Sequence, residues 1–381
     1  MTLVPSASAA AASGAEHIVE AVAYDAILLA SFGGPEGQDD VIPFLRNVTR
    51  GRGIPDERLE EVAHHYRAFG GVSPINDQNR ELKVALEAEI ARRGIELPVY
   101  WGNRNWAPYL DEALQDAHAA GHDTLIAIGT SAYSSYSSCR QYREDFAEAL
   151  QRTGLDGTVT IDKVRQFFDH PGFVEPFVEG VTGALREFEA GGLSAEQIHV
   201  LFSTHSIPST DAARSGPASR GFGEGGAYAA QHLAVAEAVM AGEPSPWSLV
   251  YQSRSGPPTQ PWLEPDINDA IAGLAGDGVR AVVIVPLGFV SDHMEVLWDL
   301  DTEALQTARE NGLLATRVPT PGVHAAFVSG LLDLVLERRD GVPVAERPAV
   351  TSLGPWYDVC RPGCCENVRR GFSPAVAGVA P

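Results

Sequence analysis

The chain has 381 residues, a length that predicts two domains or one domain with additions. Hydrophobic residues make up 44% of it and charged residues 20%, the composition of a globular α/β protein with a sizeable core. The 28 Lys and Arg residues against 50 Asp and Glu residues leave a formal net charge of −22. This is the wrong sign for a protein whose main partner is a nucleic acid or an anionic membrane surface.

The start of the chain bears on where the protein works. Residues 1–21 are rich in Ala and Ser and lack a cationic start and a continuous apolar stretch, so they predict a disordered tail and not a signal peptide. No apolar run reaches the roughly 18 residues that span a bilayer. We therefore predict a cytoplasmic protein without stable membrane association, in which the four cysteines form no disulfide framework.

Short aliphatic runs alternate with longer amphipathic stretches, the pattern of βα units in parallel sheets. Strands are predicted at Tyr24–Ser31, Pro98–Trp101, Thr124–Thr130, Val159–Val164, His199–Ser203, Ser248–Gln252 and Val282–Pro286. Helices are predicted at Gln78–Arg93, Pro108–Ala120, Gly172–Glu189, Gly226–Ala241, Asp266–Ala275, His293–Asn311 and Val323–Arg338. Seven strands suit two small sheets, and the sequence Asp-His-Pro-Gly interrupts the pattern near residue 170. We predict domains at 22–170 and 171–340 and a C-terminal extension at 341–381.

The turns after the predicted strands are the places to search for a site, because open α/β sheets bind ligands beyond the carboxyl ends of their strands. The first turn, Ser31–Gly37, reads SFGGPEG, which is not the G-x-G-x-x-G of a dinucleotide-binding loop. A dinucleotide site stays open at this point. Glycines that permit a sharp turn and a close backbone approach are the favoured interpretation.

His205 lies just after the predicted strand His199–Ser203, between hydroxyl residues and before Pro208. A lone histidine is more often a hydrogen-bonded structural residue than a catalyst. Its position at the carboxyl end of a strand favours a ligand site. An imidazole with a pKa of about 6.5 takes up protons or binds a metal near neutral pH.

Glu295, Asp299 and Glu303 are spaced four apart, so a helix over His293–Asn311 would carry three carboxylates in a row on one face. Like charges so placed repel each other, and a solvated acidic face is one interpretation in a chain this acidic. The other interpretation is a path for a divalent cation or for protons, because the row begins just after a predicted strand.

The cysteines are unevenly distributed. Cys360, Cys364 and Cys365 fall within six residues near the C-terminus, and Cys139 lies in a Ser- and Tyr-rich loop far upstream. Four thiolates are sufficient for a zinc ion or a small iron–sulfur cluster. Adjacent cysteines are awkward ligands for one tetrahedral zinc ion but acceptable where two metals share the ligands. Ligation of a metal cluster is favoured over incidental thiols and over redox disulfides.

Together these segments resemble the ferrochelatases, which insert ferrous iron into a porphyrin. The resemblance runs from Tyr24 to about Val335 and is carried by the motifs LLASFGGPEG, TRGRGIP, HHYRAFGGVSPI, LFSTHSIP, YQSRSGPPTQPWLEPDI and VPLGFVSDHMEVLWDLD. The pattern is most similar to actinobacterial enzymes of the coproporphyrin type, many of which carry a [2Fe–2S] cluster. It implies two Rossmann-like, chelatase-type domains, each with a four-stranded parallel sheet, and a porphyrin cleft between them.

The resemblance also implies roles for residues. His205 matches the catalytic histidine, and Glu295 matches the glutamate that faces it across the porphyrin. Asp299 and Glu303 match the acidic relay behind that glutamate, along which Fe²⁺ would arrive. The implied cluster ligands are Cys139, Cys360, Cys364 and Cys365.

Contacts to the porphyrin are implied in the same way. Ser73 and Tyr142 match positions that contact the macrocycle or its propionates. Some coproporphyrin enzymes have an iron-ligating tyrosine where this chain has Phe32, which cannot ligate iron. Positive charge for the propionates is available from Arg50, Arg52, Arg140 and Arg143, although ordinary surface arginines are the alternative for some of them.

We therefore expect an enzyme that inserts Fe²⁺ into coproporphyrin III, releases two protons and yields the iron coproporphyrin (coproheme) of heme biosynthesis. A protoporphyrin IX ferrochelatase is the alternative, but residues 134–138, which resemble the lip of the active site, are polar. An iron–sulfur redox sensor or electron carrier and a periplasmic-type binding protein are rivals from other classes. We expect a monomer that meets the next enzyme of the heme pathway only transiently.

Overall fold

The structure, a computed structural model, describes residues 16–51, 53–256, 259–361, 363–367 and 373–376. Two four-stranded parallel sheets form its centre. The first contains β1 (Ala26–Ser31), β2 (Val99–Asn103), β3 (Thr124–Gly129) and β4 (Thr160–Lys163), and the second contains β5 (Ile198–His205), β6 (Trp247–Gln252), β7 (Ala281–Val285) and β8 (Leu314–Arg317). Their orders, β2-β1-β3-β4 and β6-β5-β7-β8, are the same topology. This confirms the predicted fold class.

Helices connect the strands. In the N-terminal half they are α1 (Val41–Val48), α2 (Asp56–Ala68), α3 (Ile75–Arg92), α4 (Leu110–Ala119) and α5 (Gln141–Thr153). In the C-terminal half they are α6 (Pro171–Ala190), α7 (Ser209–Ala213), α8 (Gly226–Val239), α9 (Ile267–Leu274), α10 (Met294–Val296), α11 (Leu305–Glu310) and α12 (Ala325–Arg339). Two segments, Tyr136–Arg140 and Leu297–Ala304, are π-helical. Within the described ranges, no helix combines the length and the apolar character needed to cross a membrane.

One strand and four helices, β8, α1, α2, α5 and α7, were not predicted. Strand β8 is a short edge strand whose residues are partly exposed, so it has no apolar run to reveal it. Helices α1 and α2 border segments rich in Gly and Pro, α7 has only five residues, and α5 is rich in charged residues although one face of it is buried. The predicted helix His293–Asn311 also differs, because its middle, Leu297–Ala304, is π-helical.

The two halves share one hydrophobic core. Residues of β1 such as Leu29 and residues of β5 such as Phe202 belong to the same buried cluster, together with Leu331 of α12. In the sequence, the four strands of the first sheet precede residue 170 and the four strands of the second sheet follow it. We predict the domain boundary at this residue. The boundary itself stays a prediction.

The chain termini pack against each other. The predicted tail lies outside the described residues up to position 15, but Ile18 is buried and its N–H donates to Asp358 Oδ2 at 2.8 Å. The same carboxylate accepts from Arg347 at 2.6 Å. Residues 16–21 therefore pack onto the C-terminal extension, contrary to the expectation of a disordered segment up to residue 21.

Helix α12 joins the C-terminal half to the first sheet through buried charges. The Arg338 guanidinium donates to Asp162 of β4 at 2.9 Å, and Asp162 also accepts from the Tyr24 hydroxyl at 2.7 Å. Glu337, the residue before Arg338, accepts from Arg165 at 2.9 Å. All of these charged side chains are almost fully buried. Removal of one partner therefore weakens the compensation of a buried charge.

We predict that Arg338→Met destabilises the protein by about 3–5 kcal/mol, because Asp162 stays buried without its cation. The neighbouring Arg339 pairs with Asp340 at the partly exposed surface, so the control Arg339→Met should cost at most about 1 kcal/mol. The free energy of unfolding in urea measures both. Equal losses in the two variants would contradict the tie between α12 and β4.

Candidate active site

His205 is the last residue of β5, and its backbone pairs in register with Gln252 at the end of β6. The residues before it, Ser203 and Thr204, are fully buried, whereas the His205 side chain is 33% exposed. Its Nδ1 contacts the Ser206 carbonyl oxygen, which requires a proton on Nδ1. Nε2 is therefore the ring nitrogen that faces the site.

Glu295 faces His205 from the segment after β7. His293 caps α10, because its Nδ1 accepts from the Glu295 N–H at 3.2 Å. Gln252 Nε2 donates to the Glu295 carbonyl at 2.9 Å and so ties β6 to this helix. The Glu295 carboxylate lies 3.6 Å from His205 Nε2 and is 46% exposed. The two predicted catalytic residues therefore meet, and their side chains are open to a ligand.

The two side chains change each other's titration. Burial disfavours the His205 imidazolium, but Glu295 outweighs burial and raises the pKa of His205 to about 9. Burial likewise favours the neutral acid of Glu295, but His205 lowers the pKa of Glu295 to about 2. At neutral pH the two groups are therefore an imidazolium and a carboxylate.

The acidic row continues along the π-helix. Asp299 Oδ2 accepts from the Ser253 hydroxyl and from Gln252 Nε2, the latter at 3.4 Å. Burial and the Glu295 carboxylate raise the pKa of Asp299 to about 7. Glu303 lies further out, where its Oε1 accepts from Trp298 Nε1 at 2.9 Å. The row thus runs from Glu295 to an exposed end, along a segment that is π-helical where the spacing assumed an α-helix.

Helix α2 of the N-terminal half faces this row. His65 stacks on the Trp298 ring with centroids 4.1 Å apart and planes 9° from parallel. Burial, with Glu295 and Asp299, raises the pKa of Tyr66. Our sequence analysis missed His65, Tyr66 and Trp298, and the consecutive histidines within HHYRAFGG were the available signal.

Several exposed apolar side chains lie on the N-terminal half beside α1 and α2. Phe32, Ile54, Phe69 and Val72 are 37–40% exposed. Phe32 contacts Phe44 edge to face at 6.3 Å, and Phe69 contacts Trp298 at 6.5 Å. A surface of this kind suits the face of a flat apolar ligand.

The other residues predicted to contact the porphyrin lie in different environments. Ser73 is buried beside Gly34, and its N–H donates to the Pro35 carbonyl at 2.9 Å. Arg50 lies at the surface and contacts Asn47 at 2.6 Å. Arg52 lies outside the described residues.

Tyr142, Arg140 and Arg143 disagree with the predicted role in porphyrin binding, because all three are buried. Tyr142 lies in the core below the Arg104 guanidinium, 4.1 Å from its ring centroid. Arg140 binds Glu144 at 2.8 Å, and Arg143 donates to the Asp358 carbonyl at 3.0 Å. The sequence pattern could not show this, because the C-terminal extension folds back over the start of α5.

The four cysteines lie together in a second site. Cys139, Cys360, Cys364 and Cys365 are all buried and none forms a disulfide. The Sγ atoms of Cys364 and Cys365 are 3.8 Å apart, and the Gly216 N–H donates to Cys365 Sγ at 3.2 Å. Within the described residues, no three His, Cys, Asp or Glu side chains are grouped so as to hold a single metal ion.

Basic side chains and the thiols themselves shift the pKa values of the cysteines at this site. Burial raises the pKa of Cys139, Lys163 and Arg143 oppose this rise, and Cys360 and Cys365 add to it. A hydrogen bond from Cys364, together with Arg143 and Arg140, lowers the pKa of Cys360 to about 6. Cationic side chains therefore favour the thiolate form at this end of the site.

The chain is similar to known proteins over nearly its whole length. A family model described as ferrochelatase matches residues 24–339. The chain is 72% identical to the coproporphyrin III ferrochelatase of Leifsonia xyli subsp. xyli, over 98% of this chain and 99% of that protein. It is 58% identical to that of Tropheryma whipplei, over 98% and 96%, and 53% identical to that of Streptomyces griseus, over 93% and 96%.

These matches define the class of protein as a metal–porphyrin chelatase, an enzyme. The chain belongs to the ferrochelatase family. The resemblance stated from the sequence motifs is thereby confirmed at the level of the family.

We predict that Glu295→Gln lowers the pKa of His205 from about 9, because the carboxylate that raises it most is removed while burial remains. NMR titration of ¹³C-labelled histidine rings in the substrate-free protein measures this. Glu303→Gln is the control, since the Glu303 carboxylate is not among the groups that shift His205. A pKa that stays near 9 in Glu295→Gln would show that the ion pair does not form.

Proposed function

We propose that this chain inserts Fe²⁺ into coproporphyrin III to give the iron coproporphyrin of heme biosynthesis, with His205 as proton acceptor and Glu295 opposite it. The observation that carries the proposal is the His205–Glu295 pair at the ends of two strand regions, 3.6 Å apart and accessible. The choice of porphyrin rests on the named activity of the relatives.

Substrate entry separates this pair. A flat macrocycle between the two side chains needs about 3.5 Å to the atoms on each side, or about 7 Å in all. The pair is 3.6 Å apart, so the cleft must widen to admit the ring. Separation from Glu295 removes the attraction that keeps His205 protonated. The pKa of His205 then falls, the imidazolium releases its Nε2 proton to solvent at the open cleft, and the neutral ring becomes a base.

Metalation then proceeds without a redox step. Two pyrrole N–H bonds break, each electron pair stays on its nitrogen to bind Fe²⁺, and two protons leave. His205 Nε2 accepts a proton from the macrocycle. On the other wall Asp299, with a pKa of about 7, can bind and release protons at neutral pH. The substrate Fe²⁺ would reach the site along the row from Glu303 to Glu295.

Fewer arginine side chains are available to pair with the propionates than the sequence predicted. Since Arg140 and Arg143 are buried, Arg50 is the predicted cation that the described residues place at the surface. The polar residues Ser137 and Ser138 of the lip add hydroxyl groups. A polar rim favours coproporphyrin III, which has four propionates, over the more apolar protoporphyrin IX.

We infer, in addition, that the four cysteines hold a [2Fe–2S] cluster. The thiols are free and gathered from distant parts of the chain. Two sulfurs on one tetrahedral metal with bonds of about 2.3 Å lie ~3.8 Å apart, and the Cys364 and Cys365 sulfurs are 3.8 Å apart. Lys163, Arg140 and Arg143 supply positive charge and Gly216 an N–H donor, which suit a negatively charged group. When bound, a cluster of this kind accepts or donates single electrons.

An iron–sulfur sensor or electron carrier is the rival function. It would use the cysteine site alone and would leave the His205–Glu295 pair and the acidic row without a role. The cytoplasmic location, the monomeric state and the transient pathway partner stay predictions.

We predict that the purified protein inserts Fe²⁺ anaerobically into coproporphyrin III with a higher kcat/KM than into protoporphyrin IX, followed at the Soret band. The preference should weaken as salt screens the carboxylate contacts. His205→Ala should lower kcat by ~10²–10⁴-fold while porphyrin binding persists. Equal turnover of protoporphyrin IX in detergent-free buffer would overturn the choice of porphyrin. Absence of insertion into either ring would favour the rival function.

We predict that protein isolated without oxygen is red-brown and contains about two irons per chain, as four thiolates around a [2Fe–2S] cluster require. Cys139→Ser should remove the colour, whereas the adjacent Ser138→Ala should keep it. Iron analysis and the visible spectrum measure both. A colourless, zinc-loaded protein would contradict the cluster.

A further inference from the structure

A turn at Arg214–Gly216 contacts the cysteine site. The Cys365 N–H donates to the Arg214 carbonyl at 3.1 Å, and the Gly216 N–H donates to Cys365 Sγ at 3.2 Å. Cys365 itself adopts a left-handed conformation, with a φ of 53°. The residue between the two contacts, Ser215, is buried. The turn is thus held on both sides by one cysteine.

The centre of this turn holds the start of α8. Ser215 Oγ accepts from the Tyr228 N–H at 2.8 Å and donates to the Ala212 carbonyl at 2.6 Å. The Ala227 N–H donates to the Ser215 carbonyl at 3.0 Å. The N–H groups at the start of a helix have no partner within the helix, so Ser215 acts as their cap.

Helix α8 in turn holds the end of β5. The Tyr228 hydroxyl donates to the His205 carbonyl at 2.9 Å and lies 2.8 Å from Thr204 Oγ1. His232, one turn later on the same face, lies 2.9 Å from Thr204 Oγ1 through Nε2. Two side chains of α8 therefore set the position of the last two residues of β5.

Close packing prevents the turn at Arg214–Gly216 from moving independently of α8. Gly216 has a φ of 76°, and a Cβ there would lie 2.4 Å from Ala227 Cβ. A Cβ on Gly226 would lie 1.8 Å from the Ala212 carbonyl oxygen and 2.5 Å from Ser215 Oγ. A displacement of the turn therefore moves the start of α8 with it.

The same helix face reaches the N-terminal half. Gln231 accepts from the Ser134 N–H at 2.7 Å and donates to Ser134 Oγ at 3.0 Å. Ser134 lies shortly before Cys139, which belongs to the cysteine site. The turn at Arg214–Gly216 therefore links α8 to Cys365. The lip, residues 134–138, links α8 to Cys139.

We propose that Tyr228 is a positioning residue through which the cysteine site holds His205 in place for metal insertion. The proposal rests on the proposed function, and it assigns the cysteine site a role in that reaction. Ligation of the cysteines fixes Cys365, which fixes the turn, the start of α8 and the Tyr228 hydroxyl on the His205 carbonyl. Loss of ligation loosens this sequence of contacts and misplaces the imidazole, while the apolar walls that bind the porphyrin stay intact.

Tyr228→Phe tests the last contact, because it keeps the ring and removes the donor to His205. We expect kcat to fall about fivefold, equivalent to ~1 kcal/mol, with an unchanged KM for the porphyrin and an unchanged cluster spectrum. Tyr100→Phe is the matched control, since it removes another tyrosine hydroxyl, which contacts His122 Nδ1 at 2.8 Å and belongs neither to the site nor to the contacts of α12. A wild-type kcat in Tyr228→Phe, or an equal kcat loss in Tyr100→Phe, would overturn the proposal.

A double-mutant cycle tests the connection to the cysteine. If Cys365 acts through Tyr228, adding Tyr228→Phe to Cys365→Ser costs no further activity. Additive losses would show independent effects and contradict the proposal. Where Cys365→Ser does not fold, Ser215→Ala replaces it, because it keeps all four cysteines and removes the cap on Tyr228.

Hydrogen exchange gives a readout that needs no substrate. In Cys365→Ser, or in Ser215→Ala, amide exchange should rise in residues 212–228 and at the end of β5, but not in β1. Unchanged exchange in 212–228 would overturn the link even in an active enzyme. If the wild-type protein inserts no iron, but exchange still rises as expected in the Cys365→Ser or Ser215→Ala variant, the proposed function is refuted and the link is left intact.

Discussion

The buried charges of α12 are the constraint on which the rest of the structure depends. Arg338 and Glu337 reach Asp162 and Arg165 in the N-terminal half, and all four side chains are almost fully buried. These contacts set how the two sheets lie relative to each other. The site is built from both halves, with α2 on one side and the π-helix on the other, so its geometry follows from that arrangement.

The pair of His205 and Glu295 places opposite charges at the point where the substrate must enter. In the substrate-free protein the pair stabilises both charged forms. In the proposed reaction, a macrocycle between the two side chains would remove that stabilisation, and the imidazolium would release its proton to solvent and become a base. Porphyrin binding would then itself activate the proton acceptor, without a separate switch.

The cysteine site lies where the lip of one half, the C-terminal extension and the turn after β5 meet. Burial makes isolated thiolates costly there, and the neighbouring cations reduce that cost. A group that joins the four sulfurs would fasten three segments distant in sequence. The proposed connection to His205 through Tyr228 would give such a group an influence on the reaction without any contact with the substrate.

The sequence by itself determined the alternation of strands and helices, the position of His205 after a buried strand and the four-residue spacing of the acidic row. These are local features, set by hydrophobic periodicity and by turn residues. Only the tertiary structure decided that Arg140, Arg143 and Tyr142 are buried, because the C-terminal extension that covers them is more than two hundred residues away in the chain. The 3.6 Å contact of His205 with Glu295 was likewise beyond local patterns. It depends on how two separate strand ends pack, which is a property of the whole core.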